Sequence, residues 1–227
     1  MARILVTLAL ALYNNVANLW PPFNAWAYVP ANLLAAGVLV AVAAGPLNLS
    51  RAELGLADLR GPDALAGVAV GVVLAGSLVV LARTRRGARL LADRRVSGLR
   101  GRALAYQTFV RVPFGTALLE EVAFRGVAFA AWRTEGEVTA YLVSCGAFAL
   151  WHVAPAAAMV RVNAPSATRG VVARAVAGTL VVTALAGAAL VWWRDATGSL
   201  AAPFAAHATV NSLATVAGAL AGRRVER

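Results

Sequence analysis

In TALLEEVAFRGVAF, residues 116–129, two adjacent carboxylates (Glu120 and Glu121) and one guanidinium (Arg125) interrupt a run of alanine, valine, leucine and phenylalanine. The chain has two histidines, His152 and His207, and both also fall within apolar runs. The spacing repeats: Glu121 and Arg125, Phe148 and His152, and His207 and Asn211 are each four residues apart. Residues at that interval share one helix face. Three separate helices would thus each present a polar face. Gathering those faces around one hydrated cavity costs far less than burying each group alone in lipid.

Such a set suits hydrolysis. A carboxylate can act as general base toward water, an imidazole can hold or polarise that water, and ring N–H and amide groups can receive a developing oxyanion. Arg125 is placed to pair with Glu121 and hold it. Glu120 is turned about 100° from Glu121 around the helix and is free for another partner. No serine or cysteine stands beside a base as a nucleophile. Cys145, the single cysteine, lies seven residues before His152 and reads as a small buried core residue. Each element also has a plainer reading. The Glu-Glu-x-x-x-Arg cluster serves equally as a structural ion-pair lock, each histidine as a satisfied core residue, and Phe148 as packing.

The elements that must position these groups are set by the solvent. Of the 227 residues 60% are hydrophobic and 14% charged, far from the balance of a soluble domain. Apolar stretches near twenty residues recur, the length that crosses a bilayer. A soluble all-α protein with a very large core is the alternative. The expected fold is all-α: a polytopic membrane protein of about seven transmembrane helices with a helical-bundle catalytic core. The predicted spans cover 4–19, 26–44, 64–82, 104–132, 138–160, 171–193 and 200–221. Pro21 and Pro22 end the first, Pro113 and Gly115 kink or split the fourth, and Pro155 interrupts the fifth. Between 47 and 63, Ser50 and Glu53 have capping-box spacing and predict a short interfacial helix. We read one membrane domain over 1–227. Residues 104–221 form its motif-bearing catalytic core, and 1–103 hold the N-terminal spans and an arginine-rich loop. The apolar start of the chain mimics a signal peptide but has no small-residue cleavage site, so it is read as a retained span.

The net charge of +11 is all arginine, much of it within RTRRGARLLADRRVSGLRGR, residues 83–102. A basic loop between spans fits the positive-inside bias and anionic headgroups, not a nucleic-acid surface. With that loop cytoplasmic, alternation places 133–137 and Arg194-Asp195 outside. It places Arg161, Arg169, Arg174 and the C-terminal Arg223, Arg224 and Arg227 inside, and the N-terminus outside. Trp20, Trp26, Trp132, Trp192 and Trp193 fall near span ends, as interfacial tryptophans do. The expected location is a prokaryotic plasma membrane.

EEVAFR, FALWH and HATVN resemble the three motifs of the CPBP (CAAX protease and bacteriocin-processing, or Abi) family of intramembrane proteases. The resemblance runs from about 104 to 220. It implies an intramembrane endopeptidase with an all-helical core, acting on a membrane-anchored or lipidated peptide in a lipid bilayer. It further implies that Glu120 is the general base, that His152 assists with the water, that His207 and Asn211 form the oxyanion hole, and that Glu121 and Arg125 organise the site. Zinc is the open cofactor question. Glu120, His152 and His207 are competent ligands. The chain lacks His-Glu-x-x-His, however, and a metal-free glutamate mechanism is favoured. An ion-coupled transporter and a catalytically silent membrane scaffold are the competing functions. The absence of an inverted repeat weighs against the first, and the intact polar set against the second.

Overall fold

A computed structural model of the protein describes residues 1–17, 20 and 23–225. Among them there are helices and no strands. We number the helices α1 (Ala2–Ala17), α2 (Tyr28–Ala44, entered through a π-helical turn Phe23–Ala27), α3 (Gly61–Leu81) and α4 (Arg85–Leu91). α5 is a continuous helical run over 101–133, followed by α6 (Glu137–Trp151), α7 (Val153–Asn163), α8 (Arg169–Thr197) and α9 (Ala201–Val225). The expected end of the first span at Leu19, Pro21, Pro22 and Arg227 lie outside the described residues.

Among the described residues, four helical segments are long and apolar enough to cross a bilayer: Gly61–Leu81, Glu137–Asn163 (α6 with α7), Arg169–Thr197 and Ala201–Val225. α1 and α2 are apolar but shorter. α5 completes the bundle and carries the charged motif. The protein is an integral membrane protein of helical type. Its lipid-compatible surface is plain on α3 and α8, where Leu65, Val72, Val73, Val80, Val181, Val182 and Leu185 are exposed. Without water to drive their association, membrane helices pack through close backbone contact. Gly67 and Gly71 of α3 supply it. A Cβ on Gly67 would lie 2.3 Å from the Ala202 carbonyl oxygen, and one on Gly71 2.6 Å from Thr209 Cβ. These glycines seat α3 directly on α9, the helix that carries His207 and Asn211.

Three local expectations are corrected. Pro113 does not split α5 in two. Residues Gln107–Ala117 widen into a π-helical stretch in which the Leu118 N–H donates to the Pro113 carbonyl, five residues back. The wider turn accommodates a ring that has no N–H and would press on the preceding turn. The interruption expected at Pro155 falls instead at His152, three residues upstream, because proline disturbs the turn before it. The Ser50–Glu53 capping box forms, with Ser50 N–H donating to Glu53 Oε2 at 2.8 Å, but a turn follows and not a helix. Gly55 ends that turn at φ +71°, and its carbonyl accepts from Leu200 N–H at the start of α9.

Charged contacts sort the molecule into two ends. At one, Arg3 pairs with Glu135 at 2.5 Å, Arg133 pairs with Asp195, and Arg194 donates to the Glu53 carbonyl. At the other, Asp93 binds Arg95 and Asn163, and Ser97 packs against Gly222. The 133–137 connection and the end of α8 at 194–195 thus share an end with the N-terminus, and the arginine-rich segment shares the other with the end of α7 and the C-terminal part of α9. This is the pairing that alternation of the spans requires.

Candidate active site

The site is assembled from α5, α6, α9 and α1. The second π-helical stretch of α5, Glu121–Ala128, is buried at every residue, and Glu120 immediately before it is buried too. Arg125 has no exposed surface. Its Nη1 lies 3.1 Å from Glu121 Oε1, a charge contact without hydrogen-bond alignment. Its guanidinium stands 4.0 Å over the Phe148 ring. A buried cation thus has one carboxylate and one aromatic face as its compensation. Gly187 of α8 makes room for this stack, because a Cβ there would lie 3.2 Å from Phe148 Cδ1 and 3.4 Å from Arg125 Nη2.

His207 stands between the two glutamates. Its Nδ1 is 2.7 Å from Glu121 Oε1 and its Nε2 is 3.5 Å from Glu120 Oε2. A carboxylate accepts, so Nδ1–H donates to Glu121 and Nε2 faces Glu120. Glu120 has a further partner, the Trp151 indole, whose Nε1–H donates to Oε1 at 3.0 Å. The adjacent carboxylates therefore divide their contacts. Glu121 holds Arg125 and one face of His207, while Glu120 is held by Trp151 and faces the other ring nitrogen.

His152 occupies the gap between α6 and α7, with φ −94° and ψ 1°, in the sparsely populated bridge region where many active-site residues sit. Its Nδ1 is 2.8 Å from the Phe148 carbonyl oxygen. A backbone carbonyl only accepts, which puts a ring proton on Nδ1; in the neutral imidazole Nε2 then carries the lone pair. Phe148 is the hub between the imidazoles, its ring edge-on to His152 at 4.8 Å and to His207 at 6.1 Å. Asn211 lies one turn beyond His207 and lines a cavity of about 650 Å³ with Pro155, Gln107 and Arg111. That cavity extends to Asp93 and Arg95 at the arginine-rich end. A second, apolar cavity of about 420 Å³ lies between α1 and α2 and reaches Leu119 and Trp151.

The structure brings Glu120, Glu121, Arg125, Phe148, His152 and His207 into one connected cluster, with Asn211 on the adjoining cavity wall. It adds residues that the sequence reading passed over. Trp151 was in view within FALWH, but an indole beside a histidine reads as bulk. Ser144 donates to the Phe124 carbonyl at 2.8 Å and ties α6 to the π-helical stretch. Asn14 and Asn15 reach the His152 gap, and Asn32 donates to the Gly115 carbonyl at 2.6 Å. Their signal was the polar pair Asn14-Asn15 in an otherwise apolar helix. Cys145 is half-buried, not fully buried as expected, and packs near Phe129 and Val191. Among the described residues no three His, Cys, Asp or Glu side chains are grouped to hold a metal ion.

Residues 102–213 match the family model described as type II CAAX prenyl endopeptidase Rce1-like. The chain is thus similar to the Rce1-like family over 102–213. No curated protein and no solved structure matches it. That similarity supports a CAAX-type membrane protease in general. The Rce1-like match spans every motif residue from Glu120 to Asn211 and stops short of α1, α2 and α3. The contacts from Asn14, Asn15 and Asn32 therefore lie outside the matched region.

Proposed function

We propose that the protein is an intramembrane endopeptidase that hydrolyses a peptide bond in a membrane-anchored or lipidated substrate through a glutamate-activated water. The observation that carries this reading is the position of Glu120: buried, fixed by the Trp151 indole, and facing an imidazole. In this reading Glu120 takes the proton of the attacking water. His152 holds or polarises that water through the Nε2 lone pair that its bond to Phe148 leaves open. His207 and Asn211, one turn apart on α9, stabilise the tetrahedral intermediate. Glu121 and Arg125 keep His207 and Phe148 in place. No step needs a metal. The arginine-rich loop and the C-terminus face the cytoplasm of a prokaryotic cell.

The test is cleavage of a panel of membrane-anchored and lipidated peptides by the protein in vesicles. Glu120→Gln keeps the acceptor for Trp151 and removes the base, so kcat is expected to fall about 10²–10⁴-fold with the melting temperature preserved. His152→Ala is expected to fall similarly. Cleavage by the wild type that persists in a strong chelator supports the metal-free route, and loss that zinc restores overturns it. If Glu120→Gln cleaves as well as the wild type, the reading is wrong.

A further inference from the structure

The gap that holds His152 is kept open from outside the matched region. Pro155 has no N–H to offer the Trp151 carbonyl, four residues back. Asn14 supplies the replacement, its Nδ2 donating to that oxygen at 3.2 Å. One residue along, the Ala154 N–H and the Leu150 carbonyl would bond each other in a regular helix. The Asn15 side-chain amide stands between them instead. Its Oδ1 accepts from Ala154 N–H at 2.8 Å, and its Nδ2 donates to Leu150 O at 2.9 Å. An amide from α1 is thus spliced into the hydrogen-bond ladder of another helix.

The consequence falls on His152. In a continuous helix its backbone N–H would take the Phe148 carbonyl. At the gap that N–H turns to Ala149 O at 3.0 Å, and the Phe148 carbonyl is left for the His152 ring. The same bond fixes the tautomer and the orientation of the imidazole. We infer that Asn15, with Asn14, is a positioning residue: the α1 amides hold the helix broken at His152 so that its ring is anchored by Nδ1 and presents Nε2. This inference rests on the endopeptidase reading above.

The experiment compares Asn15→Leu, Asn15→Asp and Thr7→Val in full-length protein in vesicles. Thr7→Val is the control: it removes the bond from Trp132 Nε1 to Thr7 Oγ1 on the same helix and leaves the gap untouched. Two readouts are taken: kcat and KM on a cleaved peptide, and amide hydrogen exchange over residues 150–156. Asn15→Leu is expected to lower kcat by about 10²-fold, the scale of an ångström misplacement, with KM within about twofold. Exchange at Ala154 should rise in the same variant. Asn15→Asp keeps the acceptor for Ala154 and loses the donor to Leu150, and should fall between Asn15→Leu and the wild type. Unchanged kcat in Asn15→Leu, or an equal loss in Thr7→Val, overturns the inference. If the wild type cleaves none of the peptides, the endopeptidase reading fails on its own. The exchange arm still decides the splice, since Ala154 exchange unchanged by Asn15→Leu would end it.

Discussion

Trp151 connects the two halves of the site within one residue. Its indole N–H holds Glu120, its carbonyl is taken by Asn14, and its ring stacks on Tyr13 at 5.6 Å. Replacing it with phenylalanine keeps an aromatic ring against Tyr13 and Phe124 and deletes only the donor. Trp151→Phe is therefore expected to lower kcat by about 10–100-fold, consistent with about 1.5–3 kcal/mol for a hydrogen bond to a charged group, while KM stays near the wild-type value. Steady-state kinetics on any cleaved peptide checks this, and an unchanged kcat would show that Glu120 does not need the indole. The ionisable members of the cluster were legible in the sequence because charge inside a bilayer is costly and needs a reason. Trp151, Asn14 and Asn15 were not. Neutral amides and indoles carry a smaller insertion penalty, and the two asparagines' partners on α6 are backbone atoms more than 130 residues away.

Helix irregularity does the positioning at the next scale. α5 stays continuous through Pro113 by widening, and the same helix widens again where Glu121 and Arg125 must face inward. α6 and α7 part at His152 because Pro155 withholds one hydrogen bond. Pro155→Ala returns that N–H. The variant is expected to be as stable as the wild type or more so, since interior proline costs a helix about 3 kcal/mol. Its kcat should nevertheless fall at least tenfold, because the closing helix reclaims the Phe148 carbonyl from the His152 ring. Thermal unfolding in detergent and peptide cleavage measure the two effects separately, and a stabilised variant with full activity would refute the coupling. Prolines announced irregular helices in the sequence. Whether each widens, breaks or shifts the fault upstream depends on which neighbour offers hydrogen bonds, and that is a tertiary fact.

Across the whole molecule, ion pairs among the described residues gather at the site and at the ends. At the arginine-rich end, Asp93 is the acid that orders the loop after α4. Half-burial alone would raise its carboxyl. Hydrogen bonds from the Arg95 side chain and backbone and from Asn163 outweigh that and hold it below the ordinary carboxylate range. A depressed folded-state value means that the stabilisation is complete above the unfolded-state pKa. It is lost as pH falls through the lower folded-state value. The melting temperature in detergent should thus gain an extra decline on acidification below about pH 4, and Asp93→Asn should remove that part of the decline. Of the seven predicted spans, four fall on segments long and apolar enough, among the described residues, to cross a bilayer: α3, α6 with α7, α8 and α9. The other three fall on α1, α2 and α5. Hydropathy located those four because the bilayer penalises exposed polar residues. Only coordinates could show that α3 and α9 touch through bare backbone. That contact closes one flank of the enzyme. With a carbonyl oxygen where any side chain on Gly67 would have to go, the α3–α9 seam leaves no gap for a hydrocarbon tail to enter.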